Sequence, residues 1–218
     1  PMMFNTTEEV DYVADKLWPY FQKKFEIPYK PLLDSNVKFY ASLGNHDSRN
    51  QRYYKLFNMD GKLFYSFKAP EQNVRFFALE SSYPVPAQIT WVKGELESNK
   101  EDWKIAFFHH PLYSSGEKHG SDTQLRDILE PLFVQNNVSV VFAGHDHFYE
   151  RTKPQKGGIV HWVSGSGGSL RKGNLNRTDM TAKGFDTDYT FMIVEIAGDA
   201  IAARGVDGGA GGVGGRLR

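Results

Sequence analysis

The stretch Val138-Ser139-Val140-Val141-Phe142-Ala143-Gly144-His145-Asp146-His147 decides the fold class, because an apolar run of strand length ends abruptly in a glycine and two histidines. Val138–Ala143 is too short for an ordinary helix and too apolar for a half-exposed strand, so it reads as a buried one. Two other segments repeat this design. Trp103–Phe108 runs into His109-His110-Pro111, and Val37–Leu43 runs into Gly44-Asn45-His46-Asp47. Around them, Ala87–Leu96 and Thr123–Gln135 have helical spacing, while Leu63–Phe67, Val74–Leu79, Gly158–Ser164, Tyr189–Ile196 and Ala200–Ala203 read as further strands. Alternating strands and helices in the middle, with hairpins elsewhere, predict an α/β fold with a mixed sheet. A further helix is predicted from the cap Thr6-Thr7-Glu8-Glu9 to about Phe25, bent at Pro19.

Composition removes several function classes. The 218 residues carry 26 basic and 26 acidic side chains, so no basic surface invites nucleic acid. With no cysteine there is no disulfide, thiolate metal site or cysteine nucleophile. An apolar share of 40% and an aromatic share of 14% exclude a wholly disordered chain. The longest apolar runs are strand-sized, so no membrane span is predicted, and no signal peptide is legible. The seven glycines between Gly205 and Gly215 predict a flexible tail over 205–218, leaving 1–204 as the domain proper. Pro1 at the start reads as a cut from a longer protein.

The chemistry lies in the histidines. Of seven, His46, His109, His110, His145 and His147 follow strands, and His119 lies ten residues beyond His109. Ligands of α/β sheets gather beyond the carboxyl ends of strands, so the three turns are expected to converge. Neutral imidazoles and an Asn carbonyl suit zinc, iron or manganese. The His145-x-His147 spacing can put both rings on one side of an extended segment. Gly144 is expected to let the backbone turn tightly beside the metal, and Asp47 and Asp146 to fix histidine tautomers. Each motif alone suits an ordinary turn; the three in this order point to a metal site. His110 and His161 read as structural.

The order Gly44-Asn45-His46-Asp47, His109-His110-Pro111, Gly144-His145-Asp146-His147 resembles the calcineurin-like metallophosphoesterase superfamily. Its extensions, Pro111-Leu112-Tyr113-Ser114-Ser115 and His147-Phe148-Tyr149-Glu150-Arg151-Thr152, are similar to the purple acid phosphatase branch. The resemblance implies a four-layer arrangement, a mixed β-sandwich flanked by helices. It also implies two divalent or trivalent metal ions (Fe, Zn or Mn) acting on small-molecule phosphate esters. Carried over by position, Asn45, His109 and His145 would hold one ion and His147 would reach the other. His46 would contact the phosphate, and His119 would bind substrate or protonate the leaving group.

The family's two earlier motifs, an Asp-x-His or Asp-x-Gly and a Gly-Asp-x-x-Tyr, are not found before Gly44, the first glycine of the chain. The first strand unit and the bridging carboxylate are therefore expected to be missing. Four ligand positions remain, at Asn45, His109, His145 and His147, and all are neutral. The expectation is weak binding of a single ion and little turnover. The competing reading is a truncated, non-catalytic module that binds metal or phosphate. Relatives of this kind are often exported, and the sequence leaves both localisation and oligomeric state open.

Overall fold

A computed structural model describes residues 19–198, 200–207 and 213–217. Seven strands form the large sheet: β1 (Tyr65–Lys68), β2 (Val74–Ala78), β3 (Trp103–Phe107), β4 (Val140–Ala143), β5 (Tyr149–Thr152), β6 (Val160–Ser164) and β7 (Thr181–Phe185). Their order is β1-β2-β3-β4-β6-β5-β7. Strands β2, β3, β4 and β6 are parallel, with Ala78 beside Phe107, Phe107 beside Phe142 and Ala143 beside Val163. Four carboxyl ends therefore finish along one edge. Antiparallel pairing of β1 with β2 and of β5 with β6 and β7 makes the sheet mixed.

Two helices cover one face, after a short first helix α1 (Lys30–Asp34). Helix α2 (Pro86–Ser98) starts with proline at its first position, where no backbone N–H is needed. It buries Gln88, Val92 and Leu96, one residue per turn on a single stripe. Helix α3 (Thr123–Gln135) is capped by the Asp122 carboxylate, which accepts from the Leu125 N–H at 2.9 Å. Its stripe of Leu125, Leu129 and Phe133 packs with Phe77, Phe108 and Val141 of the sheet side. The opposite face packs on a second sheet, β10-β9-β8, built from β8 (Thr190–Ala197), β9 (Ala200–Asp207) and β10 (Val213–Leu217). Val74, Ile105, Val140, Trp162, Ile201 and Ala203 fill the space between the sheets.

The α/β class and the mixed sandwich are as expected, and three of the four expected layers lie among the described residues. Several local readings need correction. Residues 37–43 form no ladder with any described residue. Ala41 N–H donates to the Phe57 carbonyl, Asn58 Nδ2 to the Phe39 carbonyl and Tyr65 OH to the Ala41 carbonyl. Strand-forming residues without a neighbouring strand among the described residues are held by isolated hydrogen bonds instead of a ladder. The tail predicted to be flexible from Gly205 is drawn partly into pairing, since β9 continues to Asp207 and β10 pairs Val213 with Gly205 and Leu217 with Ile201. A main-chain ladder needs no side chains, and glycine content alone did not reveal it. The start of the first predicted helix lies outside the described residues, and its end runs through a π-helical turn, Gln22–Glu26. No helix of the described residues is long and apolar enough to cross a membrane.

Candidate metal centre

Each parallel strand delivers its turn to the same edge. The Gly44–Asp47 turn is closed twice, by Asp47 N–H donating to the Gly44 carbonyl at 3.0 Å and by Gly44 N–H donating to the Asp47 carboxylate at 2.8 Å. That turn holds Asn45 and His46 exposed above the strand ends. From β3 comes His109, whose Nε2 lies 2.8 Å from Asn45 Oδ1 and 2.9 Å from His145 Nδ1. Gly144 N–H donates to the His109 carbonyl at 3.0 Å and ties the two histidine turns together. Three of the four ligand positions thus meet at one ring nitrogen.

The steric requirement differs from the expected one. A Cβ at Gly44 would stand 2.6 Å from His109 Nδ1, whereas a Cβ at Gly144 would make an ordinary 3.8 Å contact. The left-handed residue of the third turn is His145 itself, with φ of 64°. A non-glycine residue held there costs about 1 kcal/mol or more, a strain typical of functional turns.

Around His145 three more imidazoles gather. Ring centroids lie 4.8 Å away for His109, 4.4 Å for His110 and 4.2 Å for His119. His109, His110 and His145 each offer a nitrogen within 4.8 Å of the others'. His46 and His147 stand at the margin, near enough to lower the pKa of His109. Burial first, then these neighbouring imidazoles, push His109 down to about 3 and His145 to about 4. His110 and His147 are lowered too, again chiefly by burial. At neutral pH these four rings are uncharged, the form that ligates metal. The donor set of imidazole nitrogens and an amide oxygen fits zinc, iron or manganese.

The two aspartates do something other than fix tautomers. Asp47 closes its own turn. Asp146, fully buried, accepts from Ser114 Oγ at 2.5 Å, Gly120 N–H at 3.2 Å and Asn174 Nδ2 at 3.4 Å. Glu150, equally buried, accepts from Ser115 N–H at 2.8 Å and Thr181 Oγ1 at 2.5 Å. Both carboxylates therefore clamp the loop 114–120 that carries His119. Sequence reading missed this role for Ser114, Ser115, Glu150 and Asn174, although the Ser-Ser pair and the Tyr-Glu-Arg run stood inside quoted motifs. A cleft of about 280 Å³ opens beside the cluster, lined by His110, Lys118, His119, Ser121, Asp122 and His145. Its lining combines imidazoles with one ammonium group, Lys118, and one carboxylate, Asp122.

A strand-end cluster of this kind makes a candidate metal site on an α/β sandwich. The sequence pattern of the calcineurin-like phosphoesterase family matches residues 10–149, and the chain belongs to that family. Purple acid phosphatase 18 of Arabidopsis thaliana is 29% identical over 158 residues, which cover 67% of this chain and 34% of that protein. Fe(3+)-Zn(2+) purple acid phosphatase 12 of the same plant is 36% identical over 96 residues, 42% of this chain and 20% of that protein. Purple acid phosphatase PPD1 from yellow lupin seeds shares the fold, with a TM-score of 0.64 at 19% identity over 83% of this chain and 38% of that one. The chain spans about a third of the length of the plant relatives it matches.

Proposed function

We propose that this chain forms part of a metal-dependent phosphomonoesterase. The observation that carries the reading is the convergence of Asn45 and His145 on His109 Nε2, at 2.8 and 2.9 Å. Asn45, His109 and His145 would hold one ion, and His147 would reach toward a second. Bound there, such an ion supplies Lewis-acid charge to a phosphoryl group and acidifies water. The chain's own residues do the rest. His46, exposed above the turn, donates hydrogen bonds to the equatorial phosphoryl oxygens, where charge gathers in the transition state. His119 lines the cleft on a loop pinned by Asp146 and Glu150, and passes a proton to the departing alkoxide. General-acid help of this kind contributes about 10²–10⁴-fold. Lys118 draws the anionic ester into the cleft.

One observation favours the second reading, a non-catalytic module that binds metal or phosphate. The nearby carboxylates Asp47 and Asp146 are engaged elsewhere, so the described ligand set is neutral and the ion's charge is uncompensated. We infer one weakly held ion per chain, with little turnover. The test is equilibrium dialysis against Zn(II), followed by calorimetric titration with inorganic phosphate and an assay with an aryl phosphate. The expected result is one ion per chain and phosphate binding that requires it, weakened severalfold in His46→Ala and His119→Ala. Phosphate binding that is indifferent to metal refutes the reading, and measurable hydrolysis separates the enzyme from the module.

A further inference from the structure

His110 occupies the variable position between His109 and Pro111, where the sequence assigns it no chemistry. The structure surrounds it with chemistry. Its ring lies 4.8 Å from that of His109 and 4.4 Å from that of His145, and one nitrogen from each of the three falls within 4.8 Å of the others'. Ser81, buried at the carboxyl end of β2, explains the orientation. Its Oγ accepts the His110 backbone N–H at 2.9 Å and stands 3.0 Å from His110 Nδ1. A hydroxyl oxygen has two lone pairs and can accept from both. In the tautomer where Nδ1 donates to that oxygen, Nε2 is left bare for a metal. Imidazole ligands are ordinarily held in this way, with the second nitrogen donating to an outer partner.

We propose that His110 is a direct metal ligand, forming with His109 and His145 a three-imidazole face that Asn45 Oδ1 completes. This rests on the metal-site reading above and goes beyond it. It gives a site without a carboxylate a fourth neutral donor and binds a first ion independently of His147. Tetrahedral zinc sites space their ligand nitrogens roughly 3.3 Å apart. The observed spacing reaches that value through small side-chain rotations, with the 2.9 Å pair opening and the wider pairs closing.

The experiment uses the full 218-residue protein with one equivalent of metal. X-ray absorption on the Zn(II)-loaded wild type is expected to count three imidazoles, and needs no variant to fold. Co(II) titration of His110→Gln is expected to show affinity lowered tenfold or more, with an altered visible band. The same loss is expected in His109→Ala, whereas His147→Ala leaves the first equivalent unchanged. Two imidazoles in the wild type, with His110→Gln binding as the wild type does while His109→Ala loses the ion, would overturn the role of His110 alone. Wild-type binding by His109→Ala as well would overturn the metal-site reading together with it.

Discussion

Replacing His161 with leucine should stabilise the protein, and more so in acid. His161 sits in β6 with 3% of its surface exposed, and neither ring nitrogen has a hydrogen-bond partner. Its aromatic contact among the described residues is with the Tyr113 ring, at 4.7 Å. An orphaned buried polar group costs about 1–3 kcal/mol, and the lost ring contact returns about 0.5–1 kcal/mol. Leucine, of similar volume, should therefore gain about 1 kcal/mol at pH 7.5. The pH dependence adds a sharper signature. Burial, helped by the charge of Arg126, pushes His161 down to about 3, against about 6.5 in the unfolded chain. Below pH 6.5 the unfolded chain takes up a proton that the folded ring refuses. The stability contribution is thus intact above 6.5 and is lost as pH falls toward 3. At pH 5 the loss is about 2 kcal/mol, so the lead of His161→Leu should widen to about 3 kcal/mol. Urea unfolding followed by tryptophan fluorescence at pH 7.5 and 5.0 measures it. Other titrating groups are common to both proteins and cancel in the difference. A lead that is the same at both pH values, or a variant less stable at both, refutes the reasoning.

Two further outcomes are expected. Gly116→Ala would place a Cβ 2.3 Å from Asp146 Oδ2, so the clamp on the His119 loop must open; a destabilisation of about 2 kcal/mol or more is expected by chemical denaturation, and wild-type stability would show that the loop yields freely. Because His109 and His145 lie near 3 and 4, protons compete little with metal at pH 5.5; Co(II) affinity should fall far less between pH 7.5 and 5.5 than the roughly hundredfold that two ordinary histidines would impose, and a full hundredfold fall in the titration would contradict the burial argument.

The legible parts were those set by local pattern. Helix α3 runs over Thr123–Gln135 as its periodicity implied, because its apolar stripe and its Asp122 cap are both local. β3 and β4 were legible as apolar runs bounded by Gly, Pro and His, and the turns after them converge because parallel pairing aligns their ends. Residues 37–43 misled, since propensity says nothing of whether a ladder partner lies alongside. β5 was missed because Glu150 and Thr152 are polar, yet they are buried between two neighbouring strands and satisfied by distant groups. Asp146 illustrates the same limit. Its place between two histidines suggested a tautomer partner, while its actual donors, Ser114 and Asn174, lie 32 and 28 residues away. Contacts of that span are decided by packing, which a linear reading does not carry.

The two carboxylates behind the His119 loop have a consequence for how such sites diversify. Asp146 and Glu150 belong to the segment that bears His145 and His147, while their donors Ser114 and Ser115 belong to the loop. The smallest inheritable unit at this edge is therefore discontinuous, two short pieces some thirty residues apart that must change together. A graft of residues 114–120 into another scaffold would bring His119 without its anchor. Recombination within the intervening α3 region, which lines no part of the cleft, leaves both halves in register.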